Sequence, residues 1–231
     1  GFVLFLQPIM DIRQNLIIGH EALLRMINEK GEIVTPSSFL DIAERFGLIH
    51  DIDRWVVSRA IHLIKKFQHD GKPTYLEVNL SGRSFVDKQL LPLIRNELAA
   101  TGIDPATLVF EITETALIEN IAVAQLFIAE LKSIGCRFAL DDFGIGFSSF
   151  NYIKHLPVDY LKIDGSFIRN LPHDTVDQYL VKAMVEVARG LGKKTIAEFV
   201  ENEETLRLLR EYGVDYAQGY HVGKPRHVSE L

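Results

Sequence analysis

The sequence contains a single cysteine, Cys136, which excludes an internal disulfide and a cysteine-rich zinc site. It has no low-complexity tract and no apolar run approaching the roughly 20 residues that a membrane-spanning helix needs. The formal net charge of −6 argues against general binding to nucleic-acid backbones, because such binding needs a basic surface. We therefore expect a soluble domain in a reducing compartment, the cytoplasm, with no DNA, RNA polymer or membrane as its partner.

The chain is long enough to bury one large core. Of its 231 residues, 47% are hydrophobic, and no segment has the composition of a linker. These features predict one domain over residues 1–231. The first residues are apolar, but they include neither an initiator Met nor a basic leader. We infer a piece of a longer protein, whose other segments would carry regulatory domains or a membrane anchor.

Short β-rich runs alternate with longer amphipathic runs along the chain. The predicted strands are Leu4–Ile9, Ile17–Leu24, Tyr75–Leu80, Leu108–Ile112, Arg137–Asp141, Tyr160–Ile163, Thr195–Phe199 and Tyr216–Gly219. The predicted helices are Ser37–Phe46, Asp51–His69, Leu90–Ala100, Ala122–Ile134, Val176–Leu191 and Glu203–Tyr212. Such alternation, repeated to eight strands, favours an α/β fold of the (β/α)8 barrel type over a doubly wound sheet.

The two ends of the chain predict departures from a regular barrel. Only seven residues, Met10–Leu16, separate the first two strands, which is too few for a crossover helix and suits a hairpin. One strand of this pair should therefore run antiparallel. The stretch after the last strand, Tyr220–Leu231, leaves room only for a short or missing final helix. We expect a modified barrel.

Polar residues lie at or near the ends of these apolar strands. They are Glu21, Asn79, Glu111, Asp141, Asp142, Lys162, Asp164, Glu198 and Gln218. In a parallel barrel such positions converge on the C-terminal mouth, where catalysis in this architecture takes place. A single acid at a strand end is more often a helix cap or a surface ion pair, but a whole set of such acids is hard to explain by structure alone.

Asp141 and Asp142 are adjacent, so their side chains point to opposite faces of a regular strand. Both can serve one centre only if the backbone leaves the ladder there, which Gly144 permits. The donor set as a whole contains oxygen ligands and no His or Cys, which suits Mg²⁺ or Mn²⁺. Its size favours two ions bridged by Asp141, a phosphodiester hydrolysis site in which Lys162 holds the attacking water and Arg25 clamps phosphate.

The ordered set of motifs resembles the EAL-domain family over essentially the whole chain. The motifs are Glu21-Ala22-Leu23 with Leu24-Arg25, Asn79, Glu111-Ile112-Thr113-Glu114, Asp141-Asp142-Phe143-Gly144, Lys162-Ile163-Asp164, Glu198-Phe199-Val200-Glu201 and Gln218-Gly219. Members of that family are cyclic di-GMP phosphodiesterases. The resemblance implies cleavage of one phosphodiester bond to give linear pGpG, with Mg²⁺ or Mn²⁺ as cofactor.

The resemblance also implies a role for each matching residue. Glu21, Asn79, Glu111 and Asp141 would hold the first ion, and Asp141 and Asp142 the second. Glu198 would be a further metal-binding residue or a general base, and Lys162 would contact the catalytic water. The substrate-binding positions would be Gln7, Pro8, Leu23, Arg25, Asp164 and Gln218. Glu114 would anchor the Asp142–Ser149 loop, which in the family leads to a homodimer interface.

Three residues depart from the family's pattern. Ile145 and Phe147 stand where Thr and Tyr are common, and Phe199 stands where Gly is frequent. None of them supplies a metal ligand, but they bear on loop dynamics and pocket width. Two other hypotheses stay open at this stage: a sensor module that binds the dinucleotide without cleaving it, and an unrelated Mg²⁺-dependent barrel enzyme such as a lyase.

Overall fold

The computed structural model describes residues 1–119, 121–145 and 153–230. Its strands are β1 Phe2–Asp11, β2 Leu16–Ile27, β3 Ile33–Val34, β4 Tyr75–Asn79, β5 Leu108–Thr113, β6 Arg137–Phe143, β7 Tyr160–Ile163, β8 Lys194–Ala197, β9 Tyr216–Gln218 and β10 Arg226–His227. Its α-helices are α1 Leu40–Arg45, α2 Ile49–His69, α3 Leu90–Thr101, α4 Glu114–Glu119, α5 Ile121–Ile134, α6 Gly165–Ile168, α7 Thr175–Gly190 and α8 Glu203–Tyr212. No helix in these ranges is both apolar enough and long enough to span a bilayer.

The sheet closes into the predicted eight-stranded barrel. Neighbouring strands follow the order β1-β9-β8-β7-β6-β5-β4-β2, and pairing of β1 with β2 closes the ring. The pairings from β2 through β9 are parallel, whereas β1 is antiparallel to both of its neighbours. The predicted antiparallel strand is therefore β1. The short strands β3 and β10, which were not predicted, extend the sheet beside β2 and β1.

The β1–β2 hairpin is longer than predicted and turns at residues 12–15. The Asp11 carboxylate accepts hydrogen bonds from the backbone N–H groups of Arg13 and Gln14, each at 2.9 Å. Asn15 takes a positive φ of 55°, which Asn tolerates better than most residues do. At the other end of the chain, only β10 and a 3₁₀ turn at Val228–Glu230 follow β9 within the described residues, as the modified barrel predicts.

An apolar layer fills the barrel below its mouth. Ile9, Val109, Ala139, Tyr160 and Ile196 form a buried cluster that is separate from the larger core beneath the helices. On four of the strands, the polar mouth residue lies two positions after the member of this cluster, as Glu111 follows Val109. We call the members of this cluster the apolar plug residues. Side chains two residues apart share a face of a strand, so the residue two positions after each of these four plug residues also points inward, at the mouth.

Candidate active site

Glu21 is the most highly connected acid of the mouth. Its Oε1 accepts a hydrogen bond of 2.7 Å from Asn79 Nδ2, and its Oε2 accepts one of 2.6 Å from Gln218 Nε2. Burial raises the pKa of Glu21, but Lys162 and these two amide donors outweigh it and leave the pKa below its ordinary value. Glu21 is therefore an oriented carboxylate whose charge is retained although the side chain is buried.

Lys162 projects from β7 into the middle of the acids and is completely buried. Its Nζ lies 2.6 Å from Glu111, 3.0 Å from Glu198, 3.6 Å from Glu21 and 3.9 Å from Asp141. Burial lowers the pKa of Lys162, but the surrounding carboxylates raise it well above its ordinary value. The ammonium is thus a permanent positive charge, and it cannot serve as a general base at neutral pH.

Asp141 and Asp142 lie in a local break of the ladder between β6 and β7. The register shifts between Leu140 and Phe143, and Asp142 has a φ of 58°. The sequence predicts that Gly144 permits this departure, but the chain already leaves regular geometry at Asp142, and β6 continues to Phe143. Gly144 also has a positive φ, of 106°, so both residues contribute to the turn.

The donor set fits divalent cations. Carboxylate oxygens of Glu21, Glu111 and Glu198 all lie within 4.8 Å of one another. Oε2 of Glu111 and Oδ1 of Asp141 are buried without a hydrogen-bond partner among the described residues. Unpaired buried carboxylate oxygens are costly, and the described part of the mouth holds more acids than the Lys162 ammonium can balance. Hard cations such as Mg²⁺ or Mn²⁺ prefer oxygen ligands and would supply the positive charge that balances these carboxylates.

Burial and mutual repulsion raise the pKa of the other acids of the mouth. Burial and the Glu21 charge raise the pKa of Glu111 well above its ordinary value. Burial, aided by Asp141, raises the pKa of Glu198 to about 7 although Lys162 opposes it. The pKa of Asp142 is raised by burial and by Asp141. Cations placed among these groups would reverse the trend, since a nearby positive charge favours the ionised carboxylate.

A cavity of about 480 Å³ opens beside these acids. Its lining residues are Gln7, Glu21, Leu23, Arg25, Arg169, Glu198, Phe199, Glu201, Gln218, Gly219, Tyr220 and Pro225. Four predicted substrate-binding residues are therefore brought together: Gln7, Leu23, Arg25 and Gln218. Gln218 Nε2 also lies 3.3 Å from Gln7 Oε1, which joins the wall of the cavity to the Glu21 carboxylate.

The other two predicted substrate-binding residues and the predicted loop anchor lie outside the lining of this cavity. Pro8 is on β1, opposite His20. Asp164 is the N-cap of α6 and accepts a 2.7 Å hydrogen bond from Ser166 N–H. Glu114 is buried at the start of α4. Substrate contact by Pro8 and Asp164 stays a prediction, and so does loop anchoring by Glu114, because Phe147 and Ser149 of that loop lie outside the described residues.

Glu77 belongs to the same acidic group but was not predicted. It is fully buried on β4, two positions before Asn79 and therefore on the same inward face. Burial raises its pKa to about 8 although Lys162 is nearby. Strand alternation alone would have placed Glu77 inside the barrel.

Replacing Glu77 with glutamine is expected to stabilise the metal-free protein at alkaline pH. The carboxyl has a pKa of about 8 in the folded chain against an ordinary 4.5, so between these values the folded protein keeps a proton that the unfolded chain has lost. Stability then falls by about 1.4 kcal/mol per pH unit as pH rises through this window, and glutamine has no proton to lose. Melting in EDTA should show E77Q several degrees above the wild type at pH 8.5.

Well below pH 4.5, the same comparison should show little difference, since Glu77 is then largely protonated in both the folded and the unfolded chain. A difference in melting temperature that is independent of pH would contradict the assignment and point to packing alone.

A family model and curated relatives point to the same protein family. The family model for the EAL domain matches residues 1–225. The chain is 37% identical over 225 residues to the cyclic di-GMP phosphodiesterase PdeF of Escherichia coli K12, and 38% identical over 229 residues to the cyclic di-GMP phosphodiesterase PdeB of Shewanella oneidensis. Both alignments cover 97% of this chain but only 30% of PdeF and 26% of PdeB.

Solved structures agree over the whole fold. The complex of PaMucR phosphodiesterase with c-di-GMP has a TM-score of 0.93 at 35% identity, covering 100% of this chain and 94% of that one. The FimX EAL domain from Pseudomonas aeruginosa, bound to c-di-GMP, has a TM-score of 0.90 at 35% identity, covering 97% and 90% respectively. The similarity therefore extends over all elements that position the mouth residues.

Proposed function

This chain belongs to the EAL domain family, and on that basis we propose that it hydrolyses cyclic di-GMP to linear pGpG. The observation that carries the proposal is the buried Lys162 ammonium, whose Nζ lies within 4 Å of four carboxylates beside an open cavity. The relatives PdeF and PdeB, named cyclic di-GMP phosphodiesterases, support the choice of substrate.

Six oxygen donors of the mouth would hold two Mg²⁺ or Mn²⁺ ions. They are Glu21, Asn79, Glu111, Asp141, Asp142 and Glu198. When bound, such ions supply positive charge that stabilises the attacking and leaving oxygens of a phosphodiester. The amides of Asn79 and Gln218 fix the rotamer of Glu21 through two hydrogen bonds, so this carboxylate is oriented before any ligand arrives.

Arg25 and Gln7 contribute the substrate side of the site. Both line the cavity, and the Arg25 guanidinium provides a planar fork suited to a phosphate oxygen pair. Arg25 Nη1 also donates a 2.7 Å hydrogen bond to the Leu24 carbonyl, which restricts the orientation of the fork. The scissile phosphate would lie between Arg25 and the acids.

Lys162 orients the attacking water. Its ammonium stays protonated, so it donates a hydrogen bond to the water oxygen and leaves a lone pair free for attack on phosphorus. Glu198, 3.0 Å from Lys162 Nζ, accepts the proton of this water. The P–O3′ bond breaks, the released 3′ oxygen takes a proton from solvent, and the product carries a 5′ phosphate.

The proposal includes a homodimer formed near α4 and α5. Ile118 and Leu126 expose 46% and 70% of their surface on these helices, and Glu114 opens α4. Exposed apolar side chains on two helices that contact each other are typical of a surface that meets another protein. We further propose that regulatory domains lie on the same polypeptide, because the chain spans less than a third of PdeF or PdeB. The proposal places the activity of this domain in the cytoplasm.

The deciding experiment is incubation of the purified chain with cyclic di-GMP and Mg²⁺ or Mn²⁺, with a parallel sample in EDTA. Chromatography should show pGpG in the metal samples only, and light scattering of the same protein at micromolar concentration should give the mass of a dimer. Binding of cyclic di-GMP without product under both metals would overturn the enzymatic proposal in favour of a sensor module.

A further inference from the structure

A second cavity, of about 200 Å³, opens at the end of the barrel opposite the mouth. Lys194 begins β8 and Asp215 directly precedes β9, so the cavity lies at the N-terminal ends of these parallel strands. Among the described residues its lining includes four cations, Arg13, Arg189, Lys193 and Lys194, and one acid, Asp215. In a chain whose formal net charge is −6, this cavity reverses the overall sign.

Asp215 balances only one of these cations. Its Oδ1 accepts a hydrogen bond of 2.7 Å from Lys194 Nζ. Its Oδ2 accepts hydrogen bonds from the backbone N–H of Thr195 at 3.0 Å and from the Thr195 hydroxyl at 3.2 Å. Both carboxylate oxygens are therefore engaged at the start of β8, and the charges of Arg13 and Lys193 need another counter-ion.

Lys193 places a buried positive charge beside the cavity. Only 9% of this residue is exposed, and its Nζ donates hydrogen bonds to the carbonyls of Leu156 at 2.6 Å and Val158 at 2.9 Å. Both acceptors are neutral. Burial lowers the pKa of Lys193, and the more distant charge of Asp159 opposes this shift without reversing it. An anion in the cavity would stabilise this ammonium.

Two guanidinium groups are available to a ligand. Arg13 is exposed in the turn of the β1–β2 hairpin, and its side chain has no hydrogen-bond or ion-pair partner among the described residues. Arg189 donates from Nη1 to Glu186, while its Nη2 lies against Gly213, where a Cβ would come within 2.7 Å of it. The planar fork of a guanidinium matches a pair of phosphate oxygens.

Helix capping does not account for the whole cluster. Arg189 lies in the last turn of α7, where the helix dipole favours a cation. Arg13 and Lys194, in contrast, belong to the hairpin turn and to a strand. Cations that separate connections bring to one cavity repel one another, so the arrangement costs stability unless an anion binds between them.

We propose that this cavity binds a phosphate group, which Arg13 and Arg189 hold with their guanidinium forks while Lys193 and Lys194 supply further positive charge. Its volume is below the roughly 300–1,000 Å³ of sites for drug-sized ligands, so the bound group is small. The phosphate can belong to a free small molecule or to a lipid headgroup, since Leu16 is 58% exposed in the same hairpin as Arg13. The site does not depend on the proposed hydrolysis.

The direct test is calorimetric titration of inorganic phosphate into the purified chain, in EDTA and at constant ionic strength. The wild type should bind one phosphate per chain, and R13Q and R189Q should each weaken binding about 10- to 100-fold through the loss of charge-assisted hydrogen bonds. The matched control is R59Q, because Arg59 is exposed on α2 and lies outside the cavity. Binding that survives in the R13Q/R189Q double variant, or that is lost in R25Q instead, would overturn the proposal.

Co-sedimentation with vesicles distinguishes the two sources of phosphate. Retention on vesicles that contain phosphatidylglycerol, lost in R13Q/R189Q and kept in R59Q, would assign the site to a lipid headgroup. Calorimetric binding of phosphate without retention on these vesicles would assign it to a free phosphate group. The absence of both would overturn the proposal. Neither readout uses turnover, so a failure of the proposed hydrolysis leaves this test unchanged.

Discussion

Replacing Lys162 with alanine should lower the kcat for hydrolysis of cyclic di-GMP by about 10²–10⁴. The ammonium is the positive charge at the centre of four carboxylates, and it is held by a 2.6 Å hydrogen bond to Glu111 and by Glu198 at 3.0 Å. Nothing else in the described mouth would orient the attacking water from that position. The measurement is the initial rate of pGpG formation at saturating substrate.

A Lys162→Met variant separates charge from packing. Methionine fills much of the space of the lysine stem, so a fully buried position keeps its packing while the charge disappears. Without that charge the acids repel one another, and K162M should melt below the wild type in EDTA and recover much of the loss when Mg²⁺ is added. Turnover near the wild-type rate in folded K162M would exclude the role given to Lys162.

The position of polar residues at the ends of apolar strands predicted most of the mouth, and strand alternation accounts for it. On β5, β6, β7 and β8 the inward position that follows an apolar plug residue is Glu111, Asp141, Lys162 or Glu198. This pattern depends only on the two-residue period of a strand, so it is visible without a structure. Glu77 obeys the same rule and was still missed, because a lone acid in the middle of an apolar strand is most simply placed on the exposed face.

Other features depend on neighbours that the local sequence does not show. The bulge at Asp142 is a slip in the pairing of β6 with β7, so it requires both strands. The positive φ of Phe199 depends on space made by Gly165, which lies 34 residues earlier in the chain. Likewise, Lys162 was predicted at the mouth, but its contact with four acids is set by the closure of the barrel.

Replacing Glu21 with glutamine should remove almost all turnover, although glutamine has nearly the same shape as glutamate. In the wild type, each carboxylate oxygen accepts a hydrogen bond from an amide nitrogen, Asn79 on one side and Gln218 on the other. Glutamine has only one acceptor oxygen, so its NH₂ group must face one of these two donors. The variant therefore loses both the charge and the fixed orientation.

We expect kcat of E21Q to fall by about 10²–10⁴, and the Mg²⁺ concentration for half-maximal activity to rise about 10- to 100-fold wherever activity can still be measured. Titration of Mg²⁺ against the rate of pGpG formation gives both values. E130Q is the matched control, because Glu130 has a side chain that is 56% exposed and lies outside the cavity. The same neutralisation at Glu130 should change neither kcat nor the Mg²⁺ requirement. Wild-type turnover by E21Q would show that the Glu21 charge is dispensable, and the donor set would then have to be centred on Glu111 and Glu198.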